Sequence, residues 1–544
     1  MKKKKKIKPQ RPRGFEDLSG SSLSELLQLR DSIQKVYGLY GFEPLETGII
    51  EYSDVIGSFL PDQDRPNEGV FSFEDDDKRW VSLRYDLTSS LARYVAENFD
   101  SLPKPYRRYQ SGWVFRNEKP GPGRYRQFYQ IDADTIGSDN ALSDAEMCMM
   151  FSDAIQNTGI EVGNYVIRLS NRKILDGIID SLNIRGNSSG SEINLSIMRS
   201  IDKLDRLGLM GVEQLLGEGR KDDSGDYTKG AGLEKSDIKQ ILSFLESGIE
   251  SKILSREACL KNLSNQFSTN EIFNEALEEL NEISKIIDAA GYDENKIIID
   301  PSVVRGLGYY TGPVYEADLT FDMETDQGLE KFGSIGGGGR YDDLVSRLKG
   351  VRVPSTGISV GISRLSSALK YINQSEENSE ALSVVVLVMD KEKRSEYYKI
   401  ASNLRNEGIS SECYSGDGGM KAQLKYADKR NARLAIIIGE DEASSKSATI
   451  KDLYIGKEFA DKIFDNKEWR SGKDSQQNVP IKDLIKAVIT REVKISPIFI
   501  GDIKRLVKFL LHISSRKSIL KPILVLNKKS YSIAQVKITP TALL

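Results

Sequence analysis

The chain has 544 residues, which is more than one ordinary hydrophobic core organises, so its length predicts two or three domains. Its content of 39% hydrophobic and 29% charged residues is typical of a soluble globular protein and excludes a largely disordered one. A net charge of −3 does not by itself indicate a nucleic-acid-binding protein, and no apolar run is long enough to cross a bilayer.

Cysteine and histidine are scarce, which limits the chemistry open to the chain. Cys148, Cys259 and Cys413 lie far apart without a CxxC pair, so we expect reduced thiols in a cytoplasmic protein and no zinc site. His512 is the only histidine, and it lies in an apolar stretch where packing is the expected role. Residues 1–6 are basic but precede no apolar segment, which argues against a secretory signal.

Hydrophobic spacing predicts the elements of the N-terminal third. A helix is expected from residue 22 to about 40, followed by a strand over 43–50 and a short strand over 81–84. A second helix is expected over 87–98, and 113–137 should form two strands joined by a turn rich in proline and glycine.

The sequence pattern changes in the middle of the chain. Residues 187–287 are densely charged and helix-like, which predicts a helical insertion, and strand and glycine signals return afterwards. Beyond a polar linker, strands alternate with helices and predict a small α/β domain. We therefore divide the chain into a basic arm (1–10), an α+β domain (11–372) that holds the insertion (187–287), an α/β domain (381–473) and a C-terminal extension (474–544).

The strongest chemical signal is the predicted hairpin over 113–137. Because alternate side chains of a strand share a face, Arg116 and Glu118 lie together on the first strand. The corresponding face of the second strand carries Arg124, Arg126, Phe128, Gln130, Asp132 and Asp134. Such a face is costly to bury without a ligand, and it suits a small zwitterion and a phosphate chain. A solvated outer face with ordinary ion pairs explains the pattern equally well.

Three glycine-rich segments could also approach a ligand closely. Residues 305–312 place glycines around an arginine and two tyrosines, although a hairpin turn is the simpler interpretation. Residues 336–342 could suggest a phosphate cradle, but they lack the ending of a P-loop. Residues 357–364 predict a strand, a turn and a helix with Arg364 in its first turn, where the helix dipole disfavours a cation unless it serves a ligand or an ion pair.

Taken in order, these segments resemble the class II aminoacyl-tRNA synthetases and, within them, the histidyl-tRNA synthetases. Residues 41–46, 114–128 and 357–365 resemble the three class-defining motifs. Leu-Arg-Tyr-Asp-Leu-Thr at 83–88 and Arg-Gly-Leu-Gly-Tyr-Tyr-Thr-Gly at 305–312 resemble the two histidine-specific motifs. The resemblance covers roughly residues 11–470, and the Pro-Gly-Pro turn at 120–122 is similar to the alphaproteobacterial branch.

The resemblance implies an α/β fold with an α+β catalytic domain. Its antiparallel sheet would be flanked by helices, and a helical insertion and a C-terminal α/β anticodon-binding domain would complete the chain. It also implies a cytoplasmic homodimer without membrane association. Histidine, ATP with Mg²⁺ and tRNA(His) would be its ligands, with no organic cofactor and no zinc.

The resemblance also implies roles for residues around ATP. Arg116 would bind the α-phosphate and the histidine carboxylate, and Arg124 would bind the outer phosphates. Phe128 would stack on adenine, with Glu118 at the adenine end. Arg364 would lie on the other face of adenine and reach the γ-phosphate. Arg305 would lie opposite Arg116 and neutralise the α-phosphate, so these two arginines are the expected catalytic residues.

The resemblance implies a second group of residues, which would bind histidine. Asp86 and Thr88, helped by Gln130, would bind its amino group. Asp134 and Tyr310 would read the imidazole, and Tyr309 and Tyr341 would line the pocket. In the C-terminal domain, Lys425, Lys429 and Arg430 could contact tRNA phosphates, although a solvated helix face is an equally good explanation for any one of them.

Three other classes of protein remain as alternatives. A regulatory subunit of ATP phosphoribosyltransferase would keep the fold but lose catalytic arginines and the C-terminal domain, both of which this sequence retains. A sensor of uncharged tRNA would need a signalling domain. A class II ligase of another specificity would need different amino-acid-binding side chains at the positions of Asp86, Gln130 and Asp134. Gly308 departs from the family, which usually has an acidic residue there.

Overall fold

The computed structural model describes most of the chain in two compact units, Met1–Glu377 and Asn378–Leu544. The described residues are 8–57, 69–120, 125–182, 190–221, 225, 227–251, 254–267, 270–303, 310–325, 328–372, 383–454, 476–493, 523–526 and 533–537. Arg124, Arg305, Gly308, Tyr309 and His512, each noted above for its place in the sequence, lie outside these ranges.

The strands of the first unit follow one another along most of its length. In chain order they are β1 (Glu43–Pro44), β2 (Ile50–Tyr52), β3 (Ser72–Glu74), β4 (Trp80–Leu83), β5 (Tyr106–Phe115), β6 (Gln127–Ile136), β7 (Tyr165–Asn171), β8 (Gly219–Lys221), β9 (Tyr227–Lys229), β10 (Ile297–Ile299), β11 (Pro313–Thr325), β12 (Gly328–Arg340) and β13 (Ser355–Gly361).

Helices cover the sheet of this unit and build its insertion. They are α1 (Ser21–Leu39), α2 (Ser53–Gly57), α3 (Thr88–Asn98), α4 (Ala141–Asn157), α5 (Arg172–Ser181), α6 (Gly190–Ile201), α7 (Leu204–Leu216), α8 (Lys235–Ser251), α9 (Arg256–Phe267), α10 (Glu271–Ala289), α11 (Ser346–Lys349) and α12 (Ile362–Ile372).

Eight strands form the main sheet, in the order β1-β5-β6-β13-β12-β11-β7-β10. The six central strands pair antiparallel, whereas the edge strands β1 and β10 run parallel to their neighbours. The predicted sheet flanked by helices is therefore confirmed, with the correction that it is mixed. Long connections allow this, because a parallel pair needs a crossover of a dozen or more residues, and β10 reaches β7 only after the insertion.

The helices pack their apolar stripes against this sheet. Three of them begin at an asparagine whose side chain accepts a backbone N–H of the first turn: Asn140 before α4, Asn171 before α5 and Asn270 before α10. Phe151 of α4 is fully buried, so its replacement by alanine should cost about 3–5 kcal/mol of stability.

The insertion shares its core with the sheet. The fully buried Arg256 of α9 donates to the carbonyls of Tyr292, at 2.7 Å, and Ile297, at 2.5 Å, which ties the insertion to edge strand β10. The insertion is mainly helical, as predicted, but β8 and β9 add a short antiparallel hairpin that the sequence pattern did not indicate.

The second unit contains a five-stranded sheet. Its elements are β14 (Val384–Val386), α13 (Arg394–Asn406), β15 (Ser411–Cys413), α14 (Met420–Lys429), β16 (Leu434–Ile437), α15 (Glu440–Ser444), β17 (Ser447–Asp452), β18 (Gln476–Pro480) and α16 (Leu484–Val493). The strand order is β15-β14-β16-β17-β18, with β14 parallel to both neighbours and β17 and β18 antiparallel. This is the α/β domain that the sequence predicted, and β18 extends it beyond the boundary placed at residue 473.

A separate hairpin lies in the C-terminal extension, where β19 (Ile523–Leu526) pairs antiparallel with β20 (Ile533–Lys537). In the part of the chain that the structure describes, no helix is both long enough and apolar enough to span a bilayer.

Candidate active site

A cavity of about 690 Å³ opens on the main sheet of the first unit, above β6, β12 and β13. Eight of the residues predicted for a site line it: Asp86, Thr88, Arg116, Gln130, Asp134, Tyr310, Tyr341 and Arg364. Three residues of the polar face predicted for the second strand of the hairpin, Gln130, Asp132 and Asp134, therefore lie in the wall of a cavity. This part of the face is not a solvated outer surface, because Asp132 and Asp134 are each only 2% exposed.

Glycines form the floor of this cavity. A Cβ atom at Gly338 would lie 2.0 Å from the carbonyl oxygen of Gly357, and one at Gly357 would lie 2.0 Å from Oδ1 of Asp134. The run of four glycines from residue 336 is part of strand β12, and it does not form a phosphate-binding loop. Without side chains, the strand backbone itself can approach a ligand.

Asp134 is an almost fully buried residue of the cavity lining. Its carboxylate is 2.7 Å from the guanidinium of Arg108, its register partner on β5, and it accepts a hydrogen bond from the hydroxyl of Tyr341. Burial raises the pKa of Asp134, and the nearby Arg108 and Tyr341 partly oppose that shift. The two partners hold the carboxylate in one orientation.

Arg108 was not predicted from the sequence. The predicted strand began at residue 113, whereas β5 begins at Tyr106. Extending the alternation back from Arg116 places Arg108 on the same face, so a longer strand would have revealed it. Asp132, which was on the predicted face but received no role, also lines the cavity.

The segment before α3 supplies another part of the cavity lining. Oδ1 of Asp86 accepts the backbone N–H of Ser89 at 2.8 Å, which orients the carboxylate at the start of the helix. Arg84 is almost fully buried and donates to the carbonyls of Trp113, at 2.8 Å, and Thr47, at 3.1 Å. Arg84 therefore anchors this segment to β5, while Asp86 and Thr88 face the cavity.

Two arginines enter the cavity. The guanidinium of Arg116 lies 4.4 Å from the ring centre of Tyr85 and 5.0 Å from that of Phe128. Arg364 lies in the first turn of α12 and donates to the carbonyl of Phe332 at 2.9 Å. Its side chain thus reaches strand β12 and lines the cavity.

Two of the described residues predicted to contact ATP are placed less centrally. Glu118 and Phe128 are not among the lining residues, although the Tyr85 hydroxyl donates to Glu118 at 3.1 Å and Phe128 lies beside Arg116. Gln130 donates to Oγ of Ser359 at 3.0 Å. Asp202, between α6 and α7 of the insertion, also lines the cavity, and no sequence signal pointed to it.

The predicted tRNA contacts lie in the second unit. Lys425 and Lys429 on α14, and Arg430 directly after it, are exposed, and Arg430 lies 3.4 Å from Glu412. Among the described residues of both units, no group of three or more histidine, cysteine or acidic side chains is arranged to hold a metal ion.

Two family models match the chain. The model described as histidyl-tRNA synthetase matches residues 14–365, and the anticodon binding domain model matches residues 383–491. The histidine–tRNA ligase of Brucella ovis is 50% identical over 486 residues, 89% of this chain and 96% of that protein. That of Bartonella bacilliformis is 50% identical over 490 residues, 90% of this chain and 98% of that protein. Both organisms are alphaproteobacteria, as the resemblance implied.

Solved structures agree with these sequence matches. The histidyl-tRNA synthetase from Nostoc sp. covers 89% of this chain and 100% of its own, with 29% identity and a TM-score of 0.66. A Bacillus halodurans protein described as an ATP phosphoribosyltransferase regulatory subunit/histidyl-tRNA synthetase shares the fold, at 19% identity and a TM-score of 0.60 over 78% of this chain and 97% of its own. Because the first family model spans well over half of the sequence and relatives are 50% identical along nearly their whole length, this chain belongs to the histidyl-tRNA synthetase family.

Proposed function

We propose that this chain ligates histidine to tRNA(His) in two steps. Histidine first reacts with ATP to give histidyl-adenylate and pyrophosphate, and the 3′-terminal ribose of the tRNA then takes the histidyl group and releases AMP. The observation that carries the proposal is that one cavity brings the cations Arg116 and Arg364 together with Asp86, Gln130 and Asp134. Such a cavity complements a phosphate chain on one side and an amino acid with a basic ring on the other.

The first step requires charge stabilisation more than a strong base. The histidine carboxylate would attack the α-phosphorus in line with the departing pyrophosphate, so the reaction depends on positioning and on neutralising the phosphate oxygens. Arg116 would bind the α-phosphate and the attacking carboxylate. Its guanidinium lies between the rings of Tyr85 and Phe128, which restricts its motion before the substrates arrive. Phe128 would stack on adenine, with Glu118 at the edge of the base.

The phosphate chain would extend from Arg116 towards Arg364, with Arg124 on the outer phosphates. Arg305 would face Arg116 across the α-phosphate and stabilise the transition state. Preorganised donors of this kind are worth roughly 3 kcal/mol each in transition-state stabilisation. Mg²⁺ is expected to enter with ATP and to offset phosphate charge, and we propose no zinc and no organic cofactor.

Histidine would be recognised at both ends. Asp86, Thr88 and Gln130 would hold the amino group, while Asp134 and Tyr310 would bind the imidazole, with Tyr309 and Tyr341 around it. A buried carboxylate gives sharp selectivity, because an amino acid without a ring N–H leaves that carboxylate unpaired. Asp134 is suited to this role because Arg108 and Tyr341 already fix its orientation.

We also propose that the domains divide this work. Residues 11–372 would form the catalytic domain, with the insertion at 187–287, and the α/β domain from 381 would bind the anticodon region. That domain would include β18 and α16, beyond residue 473. The basic arm at 1–10 and the rest of the extension from 474 to 544 are assigned no role.

The chain should act as a homodimer in the cytoplasm. Ile49, Ile50 and Tyr52 are 46%, 49% and 39% exposed and directly follow the segment that resembles motif 1, which supports an apolar contact there. Sedimentation at micromolar concentration should give twice the chain mass, and a monomer at all concentrations would contradict this assignment.

Pyrophosphate exchange into ATP tests the function directly. With each amino acid in turn and without tRNA, exchange should occur with histidine alone, and tRNA(His) should then become charged. Binding of histidine without exchange would favour the regulatory-subunit alternative, and exchange with another amino acid would favour a different specificity. Replacing Arg305 by alanine should reduce exchange by about a hundredfold or more with the fold intact. Near-normal turnover would refute its catalytic role.

A further inference from the structure

Asp132 is a buried carboxylate that the proposed mechanism does not use. It lies on β6 between Gln130 and Asp134, on the face that lines the cavity, and is 2% exposed. Its Oδ1 atom has no hydrogen-bond partner among the described residues. Ser359, its register partner on β13, forms a hydrogen bond with the carboxyl and also accepts one from Gln130. One oxygen of a residue that lines the cavity is thus left without a hydrogen-bond partner in the described part of the chain.

The surrounding charges do not compensate this carboxylate. The cation that acts on it most strongly is Arg108, across the sheet on β5, but Arg108 is already paired with Asp134 at 2.7 Å. Asp134 on the same strand and Asp86 before α3 add negative charge, and the buried hydroxyl of Tyr37 on α1 is near enough for Asp132 to raise its pKa. Burial, reinforced by Asp134 and Asp86, raises the pKa of Asp132 to about 7, with Arg108 opposing.

The three carboxylates Asp86, Asp132 and Asp134 differ in which positive group could neutralise each of them. The guanidinium of Arg108 accounts for Asp134, and the amino group of a bound amino acid would account for Asp86. Nothing in that assignment accounts for Asp132, although a buried carboxylate without a partner is costly. A second proton-bearing group on the ligand would give the Asp132 carboxylate the partner that it lacks. The imidazole of histidine is such a group, because it takes up a proton near neutral pH.

We propose that Asp132 is a further specificity-determining residue, which shares a proton with the imidazole ring of the substrate and so makes the site prefer a ring that can be protonated. The inference rests on the proposed function, since it takes histidine as the substrate. It adds a second ring contact to that of Asp134. The proton lies either on the ring nitrogen or on the carboxyl, and the complex holds one proton in both cases.

A shared proton has a measurable consequence. At pH 8 the free imidazole and the carboxyl of Asp132 are both largely deprotonated, so forming the complex must take up about one proton from the buffer. Below about pH 6 both groups are protonated before binding, and complex formation releases one. The affinity for histidine should therefore be greatest between pH 6 and 7 and fall on both sides.

Calorimetric titration of the full-length protein with histidine, in buffers of different ionisation enthalpy, measures that proton directly. At pH 8 the unmodified protein should take up about one proton for each histidine bound, and Asp132→Asn should take up almost none. A second ligand is the 1,2,4-triazole analogue of histidine, whose ring keeps an N–H but stays unprotonated at neutral pH. The preference for histidine over this analogue should fall by roughly tenfold in Asp132→Asn.

Asp144→Asn is the matched control. Asp144 is also a buried carboxylate, but it pairs with Arg340 and lies outside the lining of this cavity. Its replacement should lower the melting temperature and leave both the proton uptake and the preference between the two ligands unchanged. If Asp132→Asn does not fold, the proton uptake of the unmodified protein at pH 8 still tests the proposed role of Asp132.

The outcomes separate this inference from the proposed function. Absence of histidine-dependent exchange would overturn the function itself. Normal exchange, together with no proton uptake at pH 8 in the unmodified protein, would overturn only the role of Asp132. An unchanged ligand preference in a folded Asp132→Asn protein would have the same meaning.

Discussion

Arg108 and Asp134 face each other on neighbouring strands and form an ion pair of 2.7 Å, with their side chains 0% and 3% exposed. Moving two charges out of water is unfavourable, and the pair persists because each partner neutralises the other. Removing either one leaves an uncompensated charge next to the proposed imidazole site. The stability of the sheet and the proposed recognition of histidine would therefore be linked at one contact.

Replacing Arg108 by methionine tests this link. The free energy of unfolding should fall by about 3–5 kcal/mol, because the Asp134 carboxylate is left buried without its cation, and the KM for histidine should rise. Urea denaturation and pyrophosphate exchange measure the two effects. Arg107→Met is the control on the same strand, since Arg107 and its partner Glu146 are both partly exposed, at 31% and 25%. Its effect should be about 1 kcal/mol or less. Equal effects of the two substitutions would contradict the assignment.

Replacing Tyr341 by phenylalanine removes the hydroxyl that donates to Asp134. A hydrogen bond to a charged group is worth about 1.5–3 kcal/mol, so kcat/KM for histidine should fall roughly tenfold to a hundredfold while the KM for ATP stays unchanged. Tyr315→Phe serves as the control, because the Tyr315 hydroxyl donates to Asp144 at 2.5 Å, outside the cavity. That variant should lose stability without a specific loss for histidine. A rise in the KM for ATP alone would place Tyr341 elsewhere in the mechanism.

The raised pKa of Asp132 predicts how stability changes with pH in the absence of substrate. The pKa is about 7 in the folded protein and 3.8 in a model peptide, so the folded state binds the proton more tightly. The resulting stabilisation is complete below about pH 4 and is lost as the pH rises towards 7. Asp132→Asn should thus gain stability relative to the unmodified protein between pH 5 and pH 8, by on the order of 2 kcal/mol. Denaturation curves at both pH values measure the difference, and a pH-independent difference would exclude this titration.

The exposed basic residues of α14 should contribute to the salt dependence of tRNA binding. Replacing Lys425 or Lys429 by glutamine removes one positive charge that could neutralise a phosphate, so each substitution should reduce the slope of log affinity against log salt by roughly 0.7–0.9. Pyrophosphate exchange needs no tRNA and should be unchanged. Lys399→Gln, at an exposed lysine of α13, is the comparison. If the slope of log affinity against log salt is unchanged in both lysine variants of α14, that helix face does not bind tRNA and is an ordinary solvated surface.

Local patterns predicted many elements correctly. The helix Ser21–Leu39, the helix Thr88–Asn98 and the strand-to-helix transition around Gly361 all lie where apolar spacing and glycine placed them. Errors occurred where local preference was weak. The strand expected over 43–50 divides into Glu43–Pro44 in the main sheet and Ile50–Tyr52 in a separate three-stranded sheet. Such a division depends on pairing with distant strands, which a single segment does not reveal.

Prediction of the candidate site from the sequence was limited in the same way, because some of its residues come together only in the folded chain. Residues 83–88 and the hairpin at 113–137 carried a recognisable pattern, and the structure gathers Asp86, Arg116 and Asp134 around one cavity. Arg108 was missed because the strand was predicted too short, and Asp202 was missed because the insertion reaches the cavity only in three dimensions.

The sequence by itself determined which chemical groups are available to this protein and in what order: arginines, carboxylates, amides and tyrosines, with glycines where the backbone must come close. Strand alternation then placed them on one face, because that period is a property of the backbone alone. Only the tertiary structure decided which charges compensate each other. Register pairs Arg108 with Asp134 and leaves a buried oxygen of Asp132 without a hydrogen-bond partner among the described residues, since electrostatic compensation depends on distance and burial rather than on position along the chain.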